Sequence, residues 1–456
     1  MRIKIKLIGH AFVMNKSIFE KDFEGFEKYP KLDKDIKVDI AVVGGGLAGL
    51  LCAYHLTKDG YKVTVFEAGH IGAATTAKST ATLTALQSPM YTKLVKKYKF
   101  AGGYFEAQKE ALQMYKQIID EFSIDCDFEI KPSYLYAVDG NKKSIKKLKK
   151  EYKVMKDFGC DVEYTQSDYG PAIKAEDQAQ FNLLKFLKGL PKDFDMYENT
   201  RIVNFIFKEN KLRTENGKTI KADKIIVATR FPAILNNKYF LKMYQAKSYV
   251  ITFKHQLLDG IYSGVEDSGF YMRSYGDYML LGGFDHRAGR HKKKVNYYDK
   301  LKASAKELFG IEEGDIKDSW SAMDSVTYDA VPFAGSISKK KSDVFVITGF
   351  NEWGVLNSMI CSRVVSNCIA PKDDKFKTIF IPRRHYCRKN FGSFLHHALI
   401  ATWAWVCSLF RVRKACKHIG CGLRYNHIEN VYECPCHGSR YDRSGKLLDG
   451  PATKNL

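Results

Sequence analysis

An α/β fold built on a parallel sheet is predicted by three features near the start of this 456-residue chain. A short apolar run, 38–43, leads directly into the turn Gly44-Gly45-Gly46-Leu47-Ala48-Gly49. A helical stretch follows and ends near Gly60. A second apolar run, 61–66, then stops at an acid, Glu67. Continuous apolar runs of this length read as strands buried on both faces, which is the signature of a parallel sheet covered by helices.

Each element has a mechanical reason. Gly44 permits the tight turn, Gly46 lets the backbone approach a pyrophosphate, and Gly49 lets helix and strand pack closely. The helix N-terminus offers free N–H groups to phosphates, and Glu67 is placed to accept hydrogen bonds from a ribose. A lone G-x-G-x-x-G is weak evidence. Strand, glycines, helix, strand and terminal acid in that order predict a Rossmann-like dinucleotide-binding domain.

The middle of the chain predicts a second, α+β domain. Segments 91–122 and 143–158 have helical periodicity and many charges, as surface helices of a substrate domain do. Residues 201–229 read as a meander with a type I′ turn at Asn216-Gly217. Residues 247–253 and 270–284 read as strands, the latter a hairpin around Gly276-Asp277, and 299–309 returns to helix. These strands are expected to form the floor of the second domain, above the cofactor.

The C-terminal stretch holds Cys416 and His418 as C-x-H, then Cys434 and His437 as C-x-x-H. Two Cys with two His form the donor set of a Rieske centre, in which His replaces Cys on one iron of a [2Fe–2S] cluster. The same donors suit a structural zinc ion. The surroundings resemble Rieske proteins: 434–442 reads CPCHGSRYD, and Gly450-Pro451 stands where those proteins have a proline loop shielding the cluster. A zinc knuckle has no use for these extras, so the cluster is favoured. The resemblance implies that Cys416, His418, Cys434 and His437 are ligands and that Cys421 and Cys436 form a disulfide linking the two loops. It further implies that Ser439 and Tyr441 give hydroxyl hydrogen bonds to cluster sulfurs, which stabilise the reduced cluster and raise its potential. The segment is shorter than a full Rieske domain. Its loops are therefore expected to borrow support from the larger body.

Beyond Glu67, residues 72–80 read GAATTAKST. This stretch resembles the D-amino-acid/glycine oxidase-like (DAO family) flavoproteins, and most closely their branch with a C-terminal Rieske segment. Residues 222–229 resemble the family's strand returning to the flavin domain, and 344–354 its closing strand, loop and helix, whose backbone lies against the flavin. The resemblance implies FAD held by Gly44, Gly46, Gly49, Glu67, Thr75, Thr76, Lys78, Ala228, Thr229, Gly349 and Gly354. Gly282-Gly283 is isolated and no second dinucleotide fingerprint appears, which disfavours a separate NAD(P)H domain. In amine-oxidising relatives an Arg on the substrate sheet grips the substrate carboxylate with its planar fork. Arg273 matches that role best, with Tyr249 and His286 as further catalytic candidates for the cavity; a structural role is the alternative for each. No separate base is needed, because the flavin accepts hydride directly from an amine carbon.

Composition fits this picture. The hydrophobic content of 45% is ordinary for a globular protein, and the net charge of +22 comes mainly from dispersed lysines such as the runs 146–150 and 292–294. No basic–aromatic RNA-binding module appears, so a nucleic-acid partner is not expected. An acidic redox partner suits the positive field better. Seven cysteines (Cys52, Cys126, Cys160, Cys361, Cys368, Cys387 and Cys407) have no paired spacing, which implies a reducing cytoplasm. The first residues lack a secretory cleavage pattern, and Met14 competes with Met1 as the start. Segment 391–410 is apolar and has Arg383, Arg384 and Arg388 before it and Arg411, Arg413 and Lys414 after it. Its small or polar stripe Ser393, His397, Ala401, Ala404 and Ser408 favours a helix packed on the body or lying at a membrane interface over one that spans.

The expected organisation is an extension 1–37, an FAD-dependent oxidoreductase 38–370, a linker with an apolar helix 371–414, and a Rieske-type segment 415–456. Within the oxidoreductase, FAD-binding parts at about 38–90, 195–235 and 315–370 alternate with a substrate domain at about 91–194 and 236–314. The expected function is oxidation of a C–N bond in an amine or amino acid, with electrons passing through FAD and the cluster to an external acceptor. A simple oxidase has little use for a cluster, so a dehydrogenase is favoured. A reductase with reverse electron flow, and a redox or iron sensor with a labile cluster, are the alternatives.

Overall fold

A computed structural model describes residues 16–87, 89–97, 101–233, 239–266, 269–290, 295–338, 343–384, 388–409 and 414–456. The choice between Met1 and Met14, the lysines 292–294, Cys387, Arg411 and Arg413 lie outside the described residues.

Strand Ile36–Val43, helix Leu47–Lys58 and strand Val63–Phe66 follow one another in the predicted order. Ile36–Val43 lies inside a sheet ordered Phe333–Ser336, Val344–Thr348, Thr219–Val227, Ile36–Val43, Val63–Phe66, Asp195–Tyr197. Every adjacent pair is parallel except the one involving the edge strand Phe333–Ser336. Val42, Ile226 and Phe345 face a core shared with helices Leu47–Lys58 and Gly354–Ile369, while Ala41, Ile225 and Val344 face a second core. Burial on both sides is why these strands carry no polar alternation. The meander is present as strands Ile202–Ile206, Lys211–Thr214 and Thr219–Val227. Its turn is not type I′, since Gly217 (φ 82°) is left-handed and Asn216 is not. The Asn216 amide donates to the Leu32 carbonyl at 2.9 Å, and the Gly217 N–H closes a turn on the Thr214 carbonyl. That tertiary anchor selects the longer, bulged loop.

The second sheet runs Ile316–Thr327, Met243–Lys254, Tyr278–Arg287, Tyr271–Tyr275, Ile261–Gly264, Glu129–Tyr136, Gly170–Gln180, Thr82–Leu83, with Glu163–Ser167 paired to Gly170–Gln180. Its faces are distinct. Val250, Leu280 and Trp320 pack with Ala77 on the side of the flavin domain, whereas Tyr249, Ile251 and Leu281 face helix Tyr297–Phe309.

A small antiparallel meander, Arg424–Asn426, Val431–Glu433, Arg440–Tyr441 and Leu447–Asp449, carries the C-terminal loops. It takes its support from the body, as expected. Lys247 of the large sheet, with a fully buried side chain, reaches Glu429 at 2.5 Å and Glu433 at 2.7 Å. Arg440 adds a 3.0 Å contact to Glu429, and Arg230 forms a two-pronged pair with Asp449. Helix Arg388–Leu409 bridges body and meander, and its Ser393–His397–Ala401 stripe faces inward. Ser393 donates to the Tyr328 carbonyl at 2.7 Å, the His397 ring stacks on Tyr244 at 5.1 Å, and Ala401 is buried. Among the described residues no helix is long and apolar enough to cross a membrane.

Candidate flavin and cluster sites

The Gly-rich turn brings the predicted phosphate cradle together. Gly44 (φ +115°) lies against the Ala228 carbonyl, where a Cβ would stand 2.8 Å from that oxygen. At Gly49 a Cβ would lie 1.9 Å from the Gly44 carbonyl oxygen, so nothing larger than glycine fits. Gly49→Ala is therefore expected to abolish flavin retention and to lower stability by several kcal/mol, measured as flavin content and Tm after purification. Thr76 Oγ1 accepts the Leu47 N–H at 3.2 Å at the helix start. The carboxylate of Glu67 accepts the Gly45 N–H at 2.8 Å and the Gly69 N–H at 2.7 Å, leaving each oxygen a lone pair for a ribose hydroxyl. A helix N-terminus, a glycine-only approach and an oriented acid fit the dinucleotide of FAD.

The remaining predicted cofactor residues surround this cradle. Thr75 Oγ1 donates to the Met323 carbonyl and accepts from Arg230, each at 3.0 Å. The Lys78 carbonyl accepts the Trp320 indole N–H at 3.1 Å, and Thr229 follows Ala228 into the loop. Gly349 (φ 78°) turns the chain after strand Val344–Thr348, and Gly354 opens the last helix of the domain. A cavity lies between 79–84 and 352–356, lined by Ser79, Thr80, Thr84, Glu352 and Trp353.

The expected catalytic trio is not one site. Arg273 lies just behind the cavity wall and is 2% exposed. Its guanidinium donates to the carbonyls of Thr80 (2.7 Å), Ala81 (2.8 Å) and Phe181 (3.2 Å). The fork that could grip a carboxylate instead fixes the 80–81 segment. Tyr249 and His286 stack on the opposite face of the sheet, both against Tyr297, at 5.3 and 4.4 Å. That face receives the C-terminal segment, for Lys247 Nζ lies 5.6 Å over the Tyr249 ring.

Sequence reasoning missed the acids on the flavin-domain side. Asp285 and Glu352 interact there, and the Asp324 carboxylate accepts the Glu352 N–H at 2.7 Å. Burial pushes Asp285 and Asp324 up to about 6 each. Burial, then Asp285 and Asp324, raise Glu352 well above the usual carboxylate range. Two consecutive non-glycine residues with left-handed backbone, Asn351 (φ 56°) and Glu352 (φ 72°), were a further signal invisible in sequence.

The C-terminal loops bring Cys416 beside Cys434 and the rings of His418 and His437 to 5.1 Å of each other. The Nδ1 atoms of His418 and His437 are buried with no hydrogen-bond partner among the described residues. Such orphaned nitrogens fit bonds to iron. His437 Nε2 lies 2.8 Å from the Phe240 carbonyl, so that nitrogen carries the proton and Nδ1 is left as the donor to metal. Burial lowers His418 to about 4 and His437 to about 3, which keeps both imidazoles neutral and able to ligate. The Cys434 thiol, first, and the His418 N–H, Ser439 and Tyr441 hold Cys416 down to about 6. Tyr441 Oη stands 3.6 Å from Cys416 Sγ, as the resemblance implied, and Ser439 Oγ accepts the Ala452 N–H at 3.1 Å within the proline loop. Cys421 and Cys436, the pair that the resemblance joins as a disulfide, lie with their sulfurs within 4.8 Å of each other and of Cys434.

The two sites adjoin. Phe231, two residues beyond Thr229, packs its ring 6.0 Å from His418 and 5.1 Å from His437. Residues 39–367 match the family model of the FAD-dependent oxidoreductases (DAO). The chain belongs to that family. Residues 404–456 match the Rieske [2Fe-2S] domain model. The Rieske 2Fe-2S iron-sulfur protein YhfW of Bacillus subtilis (strain 168) is 28% identical over 94% of both chains. The cytochrome b6-f complex iron-sulfur subunit 1 of Nostoc sp. is 47% identical over 47 residues, 10% of this chain and 26% of that one. Glycine oxidase from Geobacillus kaustophilus shares the fold with TM-score 0.64 and 19% identity, over 76% of this chain and 99% of that chain. L-proline dehydrogenase from P. horikoshii does so with TM-score 0.63 and 16% identity, over 77% and 98%. The chain is thus a DAO-type oxidoreductase that binds FAD and a Rieske [2Fe–2S] cluster.

One prediction follows from Tyr441. A hydroxyl hydrogen bond of about 1–2 kcal/mol to a ligand sulfur corresponds to about 40–90 mV for a one-electron couple. Tyr441→Phe is expected to lower the cluster potential by that amount in a redox titration, leaving flavin content unchanged.

Proposed function

We propose that this chain is a dehydrogenase that oxidises a C–N bond of a small amine or amino acid and delivers the electrons, through its Rieske segment, to an external acceptor. The observation that carries this reading is the adjacency of the two sites through Phe231, whose ring meets both cluster histidines two residues beyond the flavin-side Thr229. FAD supplies a two-electron acceptor for the substrate, and the cluster supplies a one-electron carrier. The chain's own residues do the rest. Gly44, Gly46 and Gly49 hold the pyrophosphate, Glu67 the ribose, and Arg273 sets the Thr80–Ala81 wall of the substrate cavity. Lys247 and Arg230 lock the cluster loops to the body, and Trp353 and Glu352 line the cavity.

The wall supports an amine more than a carboxylate. Arg273 is committed to backbone carbonyls, while Asp285 and Asp324 bring negative charge above pH 6, beside a Glu352 that burial and these two acids hold protonated. The nearby cations are Lys93, which acts on Glu352, and Arg230, which acts on Asp324. Because Asp285 and Asp324 titrate at about 6, they are ionised above that pH and neutral below it. KM for a cationic amine is therefore expected to rise as pH falls through about 6, with little change in kcat. Asp285→Asn should raise KM roughly tenfold by removing a charge partner.

The test is an anaerobic panel of amines and amino acids, read as flavin bleaching. Bleaching by a C–N substrate, with cluster reduction following, supports the proposal. Failure of every such compound to bleach a flavin that dithionite does reduce would refute it.

A further inference from the structure

Helix Arg388–Leu409 has an outer face that the body leaves uncovered. Leu395 is 43% exposed, Leu399 60% and Trp403 67%. They recur every fourth residue, one stripe on the side away from Ser393, His397 and Ala401. Elsewhere the large exposed apolar side chains, such as Phe122, Ile130 and Leu257, are far apart in sequence and sit in different elements. Such isolated exposure needs no explanation, whereas a contiguous apolar ridge does.

Charge decides what covers it. Between Asp374 and Glu429 the sequence contains no acidic residue. The same stretch includes Arg388 and Lys389 at the helix start and Arg411, Arg413, Lys414 and Lys417 after it. Lys417 is exposed on the first cluster loop. A ridge of two leucines and an indole in a cation-rich stretch of sequence, on a helix that among the described residues is not long and apolar enough to span, is the pattern of a helix lying in the headgroup layer. We propose that this face docks on the surface of an anionic lipid bilayer.

The docking would set the cluster beside the lipid. Trp405 Nε1 donates to the Ile419 carbonyl at 3.2 Å, and the Ala401 carbonyl lies 4.0 Å from Cys436 Sγ, so the helix seats both cluster loops. His437 is tied to the Phe240 carbonyl, while His418 is only half-buried. The surface does not depend on the direction of electron flow. Taken with the proposed direction, it places the acceptor at the membrane.

The experiment is co-sedimentation of the full-length holoprotein with vesicles of phosphatidylcholine alone and of phosphatidylcholine mixed with phosphatidylglycerol. Wild-type protein is expected to pellet with the anionic vesicles only, less so at high salt. Leu399→Glu and Trp403→Ser, both surface changes, are expected to cut partitioning roughly tenfold while keeping flavin absorbance and the reduced-cluster EPR signal. Protein that stays in the supernatant with anionic vesicles overturns the proposal, as does variant protein that pellets like wild type. A dimer that Leu399→Glu dissociates, without vesicle binding, would assign the face to a second copy and also overturn it. None of these outcomes bears on amine oxidation, which the bleaching panel tests separately.

Discussion

Lys247→Met is expected to destabilise the protein by about 3–5 kcal/mol and to release the cluster segment. The ammonium is fully buried between Glu429 and Glu433, whose side chains are 3% and 0% exposed. Removing it leaves buried carboxylates with Arg440 as the nearest cation, 3.0 Å from Glu429 and 4.0 Å from Glu433. The loss falls on the interface, since the lysine belongs to the large sheet and both acids to the small meander. Cluster content and susceptibility of 415–456 to limited proteolysis should therefore change before flavin content does. Equal loss of both cofactors, or no loss of either, would mean that this network does not hold the segment in place.

Cys434→Ser should remove the cluster and leave the flavin. Cys434 is fully buried at the start of its loop, near Cys416, Cys421 and Cys436. The Rieske EPR signal should vanish, reduction of a one-electron acceptor should be lost, and anaerobic bleaching by substrate should persist. Wild-type turnover with the acceptor in this variant would show that electrons leave from the flavin directly.

Much of this architecture was legible because its chemistry is local. The glycines at 44, 46 and 49 and the acid at 67 lie within one strand–helix–strand unit, and the cluster ligands are neighbours in two short loops. What could not be read depends on long-range pairing. Lys247 looks like the polar position of an alternating strand, and its partners lie 182 and 186 residues away. Arg230 likewise gives no sign of Asp449. The fork of Arg273 suits a carboxylate, but the carbonyls of Thr80, Ala81 and Phe181, from two segments far apart in the chain, make the same demand on its donors. The parallel pairing of Ile261–Gly264 with Glu129–Tyr136 also left no local mark, for it joins strands far apart in the chain. Asp285, Asp324 and Glu352 come from three separate parts of the chain, so their convergence at the flavin-domain side appears only in the fold.

The central claim is that flavin and cluster exchange electrons inside one chain. Anaerobic photoreduction of the flavin in the holoprotein, followed by cluster absorbance and EPR, tests it without a known substrate. The account predicts that the cluster becomes reduced as the flavin is reoxidised, with a first-order rate independent of protein concentration. A flavin that stays reduced beside an oxidised cluster, or a rate that scales with concentration, would contradict it.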